Sequence, residues 1–373
     1  MYQHASEEIG NVRQVYDGAL LPDIAVNTFR NIDRLFPTRT VKRGDSVFEL
    51  PVAEKQLENF RFESDGREYD LYDYLAIGRV SGLLVIRNGE IVFEEYLLGN
   101  DRETRWMSMS VVKSISAMLV GAALKDGYIE SIDDDITDYL PQFDGSAYDG
   151  VTVRHLLQMA SGVAWNETYT DPSSDRRAML EAQINQQPGE ILQLMAQLPR
   201  AAEPGTRFNY STGETHVVGA LVQAATGQHV ADYLSDKVWA KFGMEANASW
   251  WLESPDGLEV GGSGLSARLR DYARFGMFLL NDGVAAGEAI LPDGFVADAS
   301  RPKTIGGEQV DYGYMLWPLR DDAYSALGIF GQVVYVNPKR QVVVAMWSAQ
   351  PKPIERSGID MFDFLAALAT AAP

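Results

Sequence analysis

Strand-like patterns occur near both ends of the chain, and helical patterns fill the long stretch between them. Residues 82–96 contain two β-rich runs around Asn88 and Gly89, a dipeptide that favours a tight hairpin turn. Near the other end, the segments 312–317, 329–336 and 341–347 are also typical of strands. This arrangement predicts an α/β (α+β) fold: one antiparallel sheet built from both termini and flanked by helices, with an inserted, mostly helical domain.

The length of 373 residues exceeds the usual size of a single domain and fits two structural units. We assign residues 1–106 and 296–373 to the sheet domain and residues 107–295 to the helical insertion, with the active site between them. Residues 1–75 are harder to assign, although 38–52 suggests extended segments. Apolar periodicity predicts helices at 133–140, 153–159, 190–198, 215–242 with a break at Gly227, 267–282 and 358–371.

Charge and composition exclude several kinds of partner. The formal net charge of −20 argues against nucleic acid or an anionic membrane surface. The chain has no cysteine, and therefore no disulfide and no thiolate metal site. We expect no metal and no cofactor, because the histidines lack the spacing of a metal-binding pair and are better explained as structural residues: His4, His155, His216 and His229.

The sequence shows no pattern typical of a membrane span or a signal peptide. No window is apolar and long enough to span a membrane, and residues 1–30 lack the apolar core of a signal peptide. If Met1 is the natural start, we expect a cytoplasmic protein. We expect it to act on a small-molecule ester or amide as a monomer or homodimer, with no nucleic-acid or membrane partner.

The main candidate for chemistry is a Ser-x-x-Lys sequence formed by Ser110 and Lys113 at the start of an apolar helix. Residues three apart on a helix are neighbours, so the lysine amine can reach the serine hydroxyl. A desolvated lysine can serve as the base that makes a serine nucleophilic. The alternative is a helix N-cap, for which serine is common. A second copy, residues 300–303, contains Pro302, which disfavours the helix that this geometry needs.

Two further segments can complete a site. Tyr210 lies on a loop ahead of a helix and can act as a general base or proton relay beside Lys113, or can simply anchor a turn. Residues 327–332 contain two glycines and resemble the start of a strand that a ligand can approach closely. A backbone N–H there, together with that of Ser110, would form an oxyanion hole; the alternative is a twisted edge strand.

The order of these motifs resembles that of the serine β-lactamase and penicillin-binding superfamily, which has a β-lactamase-like fold. Local sequence is most similar to its class C-like branch, especially 6-aminohexanoate-dimer (nylon-oligomer) hydrolases and carboxylesterases with a β-lactamase fold. The similarity extends over about residues 80–365. The segments that carry it are 92–96, 107–114, 148–150, 166–172, 261–262, 267–276 and 328–332.

The resemblance implies a role for each matching residue. Ser110 is the nucleophile, Lys113 the adjacent base and Tyr210 the second acid or base. The N–H groups of Ser110 and Ile329 form the oxyanion hole, and Tyr169 contacts the scissile group of the substrate. The substrate-binding residues expected from the same comparison are Tyr169, Gly328, Phe330, Val260 and Leu180.

The sequence also departs from the family pattern. The usual Lys-Thr-Gly, whose cation binds a substrate carboxylate, is replaced by Ala326, Leu327 and Gly328. Leu180 and Val260 stand where nylon-oligomer hydrolases carry an aspartate and an asparagine. These changes predict weak β-lactamase activity and inefficient cleavage of the nylon dimer.

The residues together predict a serine hydrolase that cleaves small carboxylic esters through a Ser110 acyl-enzyme. One alternative is an amide or peptide hydrolase of the 6-aminohexanoate-oligomer or D-amino-acid type. A second, from another class, is a catalytically silent binding protein that keeps the fold.

Overall fold

The computed structural model describes residues 2–354 and 358–373; Met1, on which the expectation about location depends, lies outside the described residues. The strands are β1 (Thr38–Val41), β2 (Arg61–Ser64), β3 (Arg67–Asp70), β4 (Val80–Arg87), β5 (Glu90–Tyr96), β6 (Arg105–Met107), β7 (Ala248–Trp251), β8 (Leu265–Arg268), β9 (Val284–Ala285), β10 (Glu288–Ala289), β11 (Lys303–Ile305), β12 (Glu308–Val310), β13 (Trp317–Pro318), β14 (Tyr324–Gly328), β15 (Gln332–Asn337) and β16 (Val342–Ser348).

Most helices lie between β6 and β11. The α-helices are α1 (Val12–Asp17), α2 (Pro22–Arg30), α3 (Leu71–Ile77), α4 (Val111–Lys125), α5 (Val153–Leu157), α6 (Asp175–Asn185), α7 (Glu190–Gln197), α8 (Thr212–Thr226), α9 (Val230–Leu234), α10 (Ala240–Phe242), α11 (Leu269–Leu280), α12 (Phe295–Ala299) and α13 (Met361–Ala371). Among the described residues, no helix combines the length and the apolar character needed to cross a membrane.

A six-stranded antiparallel sheet joins the two ends of the chain in the order β13-β14-β15-β16-β4-β5. The β4–β5 turn is the predicted one, because Asn88 (φ 50°) and Gly89 (φ 85°) both adopt the left-handed conformation that a tight hairpin requires. The join is the β16–β4 pair, in which Met346 lies opposite Leu83. The predicted fold class, an antiparallel sheet built from both termini and flanked by helices, is therefore confirmed.

Both faces of this sheet are covered. Along β15 and β16, alternate side chains belong to two different apolar clusters, as expected where successive residues point to opposite faces. One face packs against α11, where Gly276 permits close approach, since a Cβ there would lie 2.5 Å from Val343. The other face packs against α13 through Phe364 and Leu365. Helix α11 thus packs on the sheet although it lies within 107–295, the range assigned to the helical insertion.

A second, four-stranded sheet has the order β1-β7-β8-β6 and leads into helix α4. Residues 111–123 of α4 are all buried, and the helix packs against α8 and β14. Helix α8 ends at Gly227 (φ 68°), which confirms the break predicted there. The N-terminal end of α4, where Ser110 lies, therefore sits between the helical part of the chain and the end of β14.

Several strand predictions were wrong in position. Of the predicted segment 312–317, only Trp317 lies in a strand, the two-residue β13. The chain before it turns at Met315 (φ 56°). Residues 329–331 form the turn between β14 and β15, where Phe330 (φ 63°) and Gly331 (φ 86°) are left-handed. Strand β14 itself was not predicted. Within the segment 38–52, only β1 is a strand. The helix predicted at 133–140 is also wrong, because that stretch contains one short 3-10 helix, Ile136–Asp138.

Candidate active site

Ser110 occupies the N-cap position of α4, but its side chain makes no capping hydrogen bond. The chain reaches it through a constrained turn, since Ser108 N donates to Leu265 O at 2.7 Å and the next residue, Met109, has a φ of +42°. A non-glycine residue in that region is strained, and such strain often occurs at functional sites. The Ser110 hydroxyl is therefore free for another partner, and the N-cap alternative does not account for it.

That partner is Lys113, one helical turn away, whose Nζ lies 3.1 Å from Ser110 Oγ. Nζ also donates to Thr212 Oγ1 at 2.9 Å and to the Gly262 carbonyl oxygen at 2.7 Å. Burial lowers the pKa of Lys113 to about 7, opposed by the negative charge of Glu167 and reinforced by the positive charge of Arg176. An amine with such a pKa is partly neutral near neutral pH and can accept a proton.

Two consecutive glycines allow this arrangement. A Cβ on Gly261 would lie 2.3 Å from Thr215 O, and a Cβ on Gly262 would lie 2.8 Å from Thr212 Cγ2 and 3.0 Å from Lys113 Nζ. Larger residues would push the loop away from the lysine. The absence of side chains at 261–262, one of the segments similar to the family, therefore lets this loop approach Lys113.

Tyr210 lies on the loop before α8 and lines the same pocket as Ser110. The Lys113 amine lies 5.3 Å from the centre of its ring. Burial raises the pKa of Tyr210 above its usual value, the negative charge of Glu167 raises it further, and the nearby Ser110 hydroxyl lowers it. The predicted residues Ser110, Lys113 and Tyr210 are thus brought together, with Tyr210 in its neutral, proton-donating form.

Glu167 and Thr212 are part of the same network, although neither was assigned a role from the sequence. The Thr212 hydroxyl donates to Glu167 Oε1, and the Thr212 backbone N–H donates to Oε2 at 2.9 Å. The indole N–H of Trp165 also donates to Oε2. The available signals were the segment 166–172 and the threonine two residues after Tyr210, but nothing in the sequence indicates that they meet.

The end of β14 lies beside the turn that carries Ser110. A Cβ on Gly328 would come within 2.6 Å of the Ser108 carbonyl oxygen and 3.2 Å of Met109 Cβ. Ile329 follows directly and lines the same pocket as Ser110. Ile329 and Ser110 thus lie at one pocket, and the role of their N–H groups as an oxyanion hole stays a prediction.

Gln332 holds the turn after Ile329 in place and was also missed. Its side-chain amide donates to Ser348 O at 2.8 Å and to Phe330 O at 3.2 Å, and its carbonyl accepts from Trp106 Nε1 at 3.0 Å. Since Trp106 belongs to β6, this buried amide connects the strand before Ser110 to the turn opposite it.

A pocket of about 610 Å³ opens above Ser110. Its polar groups include Glu167, Tyr210 and Gln350, and no lysine or arginine occurs among the described residues that line it. Most of the wall is apolar and is formed by Trp317, Leu327, Ile329, Pro353, Met361 and Phe362. Such a pocket suits an uncharged, largely apolar ligand.

The predicted substrate-binding residues fall into two groups. Tyr169 and Gly328 line the pocket. Leu180 on α6 and Val260 are buried in the apolar core, where they cannot contact a ligand. Phe330 is also buried and packs against Phe29 at a ring-centroid distance of 4.9 Å, because the left-handed turn directs it away from the pocket.

His216 and the second Ser-x-x-Lys sequence both lie outside the site. His216 is buried with its Nε2 3.5 Å from Glu253 and does not line the pocket. In the second Ser-x-x-Lys sequence, Lys303 starts β11 and pairs with Asp298 at 2.6 Å. The part of the chain that the structure describes contains no cluster of three or more histidine, aspartate or glutamate side chains able to hold a metal.

Comparisons with known proteins agree with this fold. The family model described as Beta-lactamase matches residues 74–368. A 6-aminohexanoate-dimer hydrolase from Paenarthrobacter ureafaciens is 29% identical over 346 residues, which cover 88% of this chain and 86% of that protein. A D-aminopeptidase from Brucella anthropi is 27% identical over 170 residues, 43% of this chain and 31% of that protein.

Solved structures share the fold. A Bacillus anthracis structure with a provisional 6-aminohexanoate-dimer hydrolase assignment has a TM-score of 0.80 at 22% identity and covers 92% of this chain and 91% of its own. A family VIII carboxylesterase has a TM-score of 0.62 at 18% identity, covering 81% and 94%. The resemblance inferred from the motifs is confirmed, and the chain belongs to the Beta-lactamase family, as a hydrolase with the β-lactamase fold.

Proposed function

We propose that the protein cleaves small, uncharged carboxylic esters through an acyl-enzyme on Ser110. The observation that carries the proposal is the 3.1 Å contact between Ser110 Oγ and a buried lysine amine whose pKa is about 7. A serine needs an adjacent base that can accept its proton. Lys113 is close enough to Ser110, and its pKa is low enough, to be that base.

In the proposed acylation step, Ser110 Oγ attacks the ester carbonyl carbon while its proton passes to Lys113 Nζ. The carbonyl π electrons move to the oxygen, and the N–H groups of Ser110 and Ile329 stabilise the resulting oxyanion. When the tetrahedral intermediate collapses, the bond to the leaving oxygen breaks. Tyr210 donates its proton to that oxygen and regains one from the Lys113 ammonium, and the alcohol departs.

Deacylation repeats the sequence with water as the nucleophile. A water attacks the acyl carbon, and its proton passes through Tyr210 to Lys113. Collapse of the second intermediate returns the proton to Ser110 Oγ and releases the carboxylic acid. No step in this scheme requires a group other than the described residues and water.

The pocket supports an ester without a carboxylate. Among the described residues that line the pocket, a carboxylate-bearing substrate would meet an apolar wall and the Glu167 side chain instead of a cation. Burying such a charge without a partner is costly. Small acyl groups of apolar character fit the wall formed by Trp317 and Leu327 better.

An amide or peptide hydrolase is the second candidate. It is favoured by the 29% identity with the Paenarthrobacter protein over most of both chains, and by Tyr169 at the pocket wall. The buried positions of Leu180 and Val260 leave those two side chains unable to recognise the ends of a nylon dimer.

The test is hydrolysis of p-nitrophenyl esters from acetate to octanoate, with matched p-nitroanilides, by wild type and Ser110→Ala. Removing a nucleophile typically costs several orders of magnitude in kcat, so the variant should fall close to background. A wild type that prefers the anilides would favour the amide hydrolase. If neither protein acts on any ester or anilide, the proposal fails and a silent binding protein becomes the better explanation.

A further inference from the structure

We infer that Glu167 is a positioning residue that orients the hydrogen bonds of Lys113 so that the lone pair of the amine faces the Ser110 hydroxyl. The inference rests on the proposed function, because it concerns how Lys113 is prepared to act as the base. It assigns to Glu167 the task that a carboxylate performs behind a catalytic histidine, although this site contains no histidine among its described residues.

The first observation is the convergence of donors on Glu167. Its two carboxylate oxygens receive the Thr212 hydroxyl, the Thr212 backbone N–H at 2.9 Å and the Trp165 indole N–H. An ionised carboxylate accepts at both oxygens and donates from neither, so this arrangement suits the charged form and fixes the direction of each bond.

The second observation is the limited number of hydrogens on Thr212. A threonine hydroxyl has one hydrogen, and here it is committed to Glu167. The hydroxyl oxygen can therefore only accept from Lys113 Nζ, which lies 2.9 Å away. The carbonyl oxygen of Gly262 likewise can only accept from Nζ, at 2.7 Å.

These two acceptors use both N–H bonds of a neutral lysine amine. The remaining position on Nζ is its lone pair, and the other hydrogen-bond partner that the described residues give it is Ser110 Oγ at 3.1 Å. The Ser110 proton can then move to Nζ without any rotation of the amine. If the Thr212 hydroxyl pointed at Lys113 instead, the lone pair would be used there and the base would be blocked.

The charges around Lys113 predict how a change at Glu167 alters the pH dependence of the rate. The groups that face the amine are Glu167, Arg176 and the neutral Tyr210. Glu167 raises the pKa of Lys113, and Arg176 and burial lower it. Removing the negative charge of Glu167 therefore lowers the pKa of Lys113, and the acidic limb of the rate profile should move to lower pH.

The main experiment compares wild type, Glu167→Gln and the control Glu203→Gln by the pre-steady-state burst of p-nitrophenyl acetate between pH 5 and 9. Glu203 is exposed, so Glu203→Gln removes the same negative charge at a position away from the site. For Glu167→Gln we expect acylation to slow on the order of tenfold or more, a part of the roughly 10²- to 10⁴-fold that a positioned base contributes. We also expect its acidic limb at lower pH, with Glu203→Gln unchanged.

A second pair of variants keeps the inference testable if Glu167→Gln does not fold. Thr212→Ser retains the hydroxyl and should acylate at close to the wild-type rate, whereas Thr212→Val should lose as much as Glu167→Gln. Equal rates for Thr212→Ser and Thr212→Val, or an unshifted acidic limb in a folded Glu167→Gln, would overturn the inference while leaving the Ser110 acyl-enzyme intact. Absence of an acetyl adduct on Ser110 in wild type would instead overturn the proposed function.

Discussion

Gly328 lies against the carbonyl group of Ser108, so closely that a Cβ on the glycine would be 2.6 Å from that oxygen. The contact joins the end of β14 to the turn before Ser110. It therefore fixes the distance between the two backbone N–H groups expected to bind the oxyanion, those of Ser110 and Ile329.

Gly328→Ala should damage catalysis more than stability. The added methyl group must displace β14 from Ser108, which withdraws the Ile329 N–H; loss of one oxyanion donor costs roughly 10²- to 10³-fold in kcat. Overpacking should cost about 1–3 kcal/mol of unfolding free energy, measured by urea titration. Gly358→Ala is the matched control, because a Cβ there meets no atom of the described residues within 4 Å. Equal kcat for the two variants would contradict the expected role of the contact.

The pH dependence of ester hydrolysis should follow Lys113. Its pKa of about 7 means that the amine is protonated, and inactive as a base, in acid and becomes neutral as the pH rises. For a neutral ester, kcat/KM should therefore rise tenfold per pH unit below pH 7 and level off above it. Lys113→Arg should remove the activity over this range, since a guanidinium stays charged. A flat profile from pH 5 to pH 9 in wild type would exclude Lys113 as the base.

How far the sequence predicts this site depends on how local each relationship is. Ser110 and Lys113 are one helical turn apart, so their contact follows from spacing alone. The network through Thr212 and Glu167 joins the start of α8 to a loop that is distant along the chain, and no local pattern specifies that they meet. Leu180 and Val260 were placed by comparison with relatives, without a physical reason, and both are buried in the core.

The same distinction applies to the fold. The β4–β5 hairpin was predictable because Asn88 and Gly89 set the turn geometry by themselves. Strand β14 was missed and β15 was placed three residues too early, because Ile329 and Phe330 have strand-like composition but form a left-handed turn that is held by Gln332. That support comes from tertiary contacts, which single-sequence patterns do not contain.

Glu214 should make stability fall as the pH rises. It is fully buried on α8 and accepts a hydrogen bond from Ser161, and burial raises its pKa from 4.5 to about 8. Its stabilising contribution is complete below pH 4.5, where folded and unfolded forms are both protonated, and is lost as the pH rises through about 8. Glu214→Gln should weaken this dependence, as measured by urea unfolding at pH 5 and pH 8. If Glu214→Gln shows the same difference in unfolding free energy between pH 5 and pH 8 as wild type, Glu214 is not the source of that difference.

The N-terminal segment, which lies outside the range matched by the family model, supports the pocket wall. Tyr16 stacks on Tyr169 with ring centroids 6.4 Å apart and accepts a hydrogen bond from buried Arg176. Tyr16→Phe removes that bond, and leaving a buried polar group unpaired costs about 1–3 kcal/mol. We expect a higher KM with little change in kcat for ester hydrolysis. Tyr72→Phe, at an exposed tyrosine, should leave both constants unchanged; a Tyr16→Phe variant with wild-type KM would argue against this support.

The absence of a cation from the described pocket lining predicts discrimination against carboxylates. Mono-p-nitrophenyl succinate and p-nitrophenyl butyrate are similar in size and differ in one charge, and the succinate should have a kcat/KM lower by on the order of tenfold, equivalent to about 1.4 kcal/mol. Leu327 lines the pocket, so Leu327→Lys should narrow the difference by providing an opposite charge. Leu327→Met is the control, because it has similar bulk without charge. A preference for butyrate that is equal in the Lys and Met variants would mean that charge at this wall does not select the substrate.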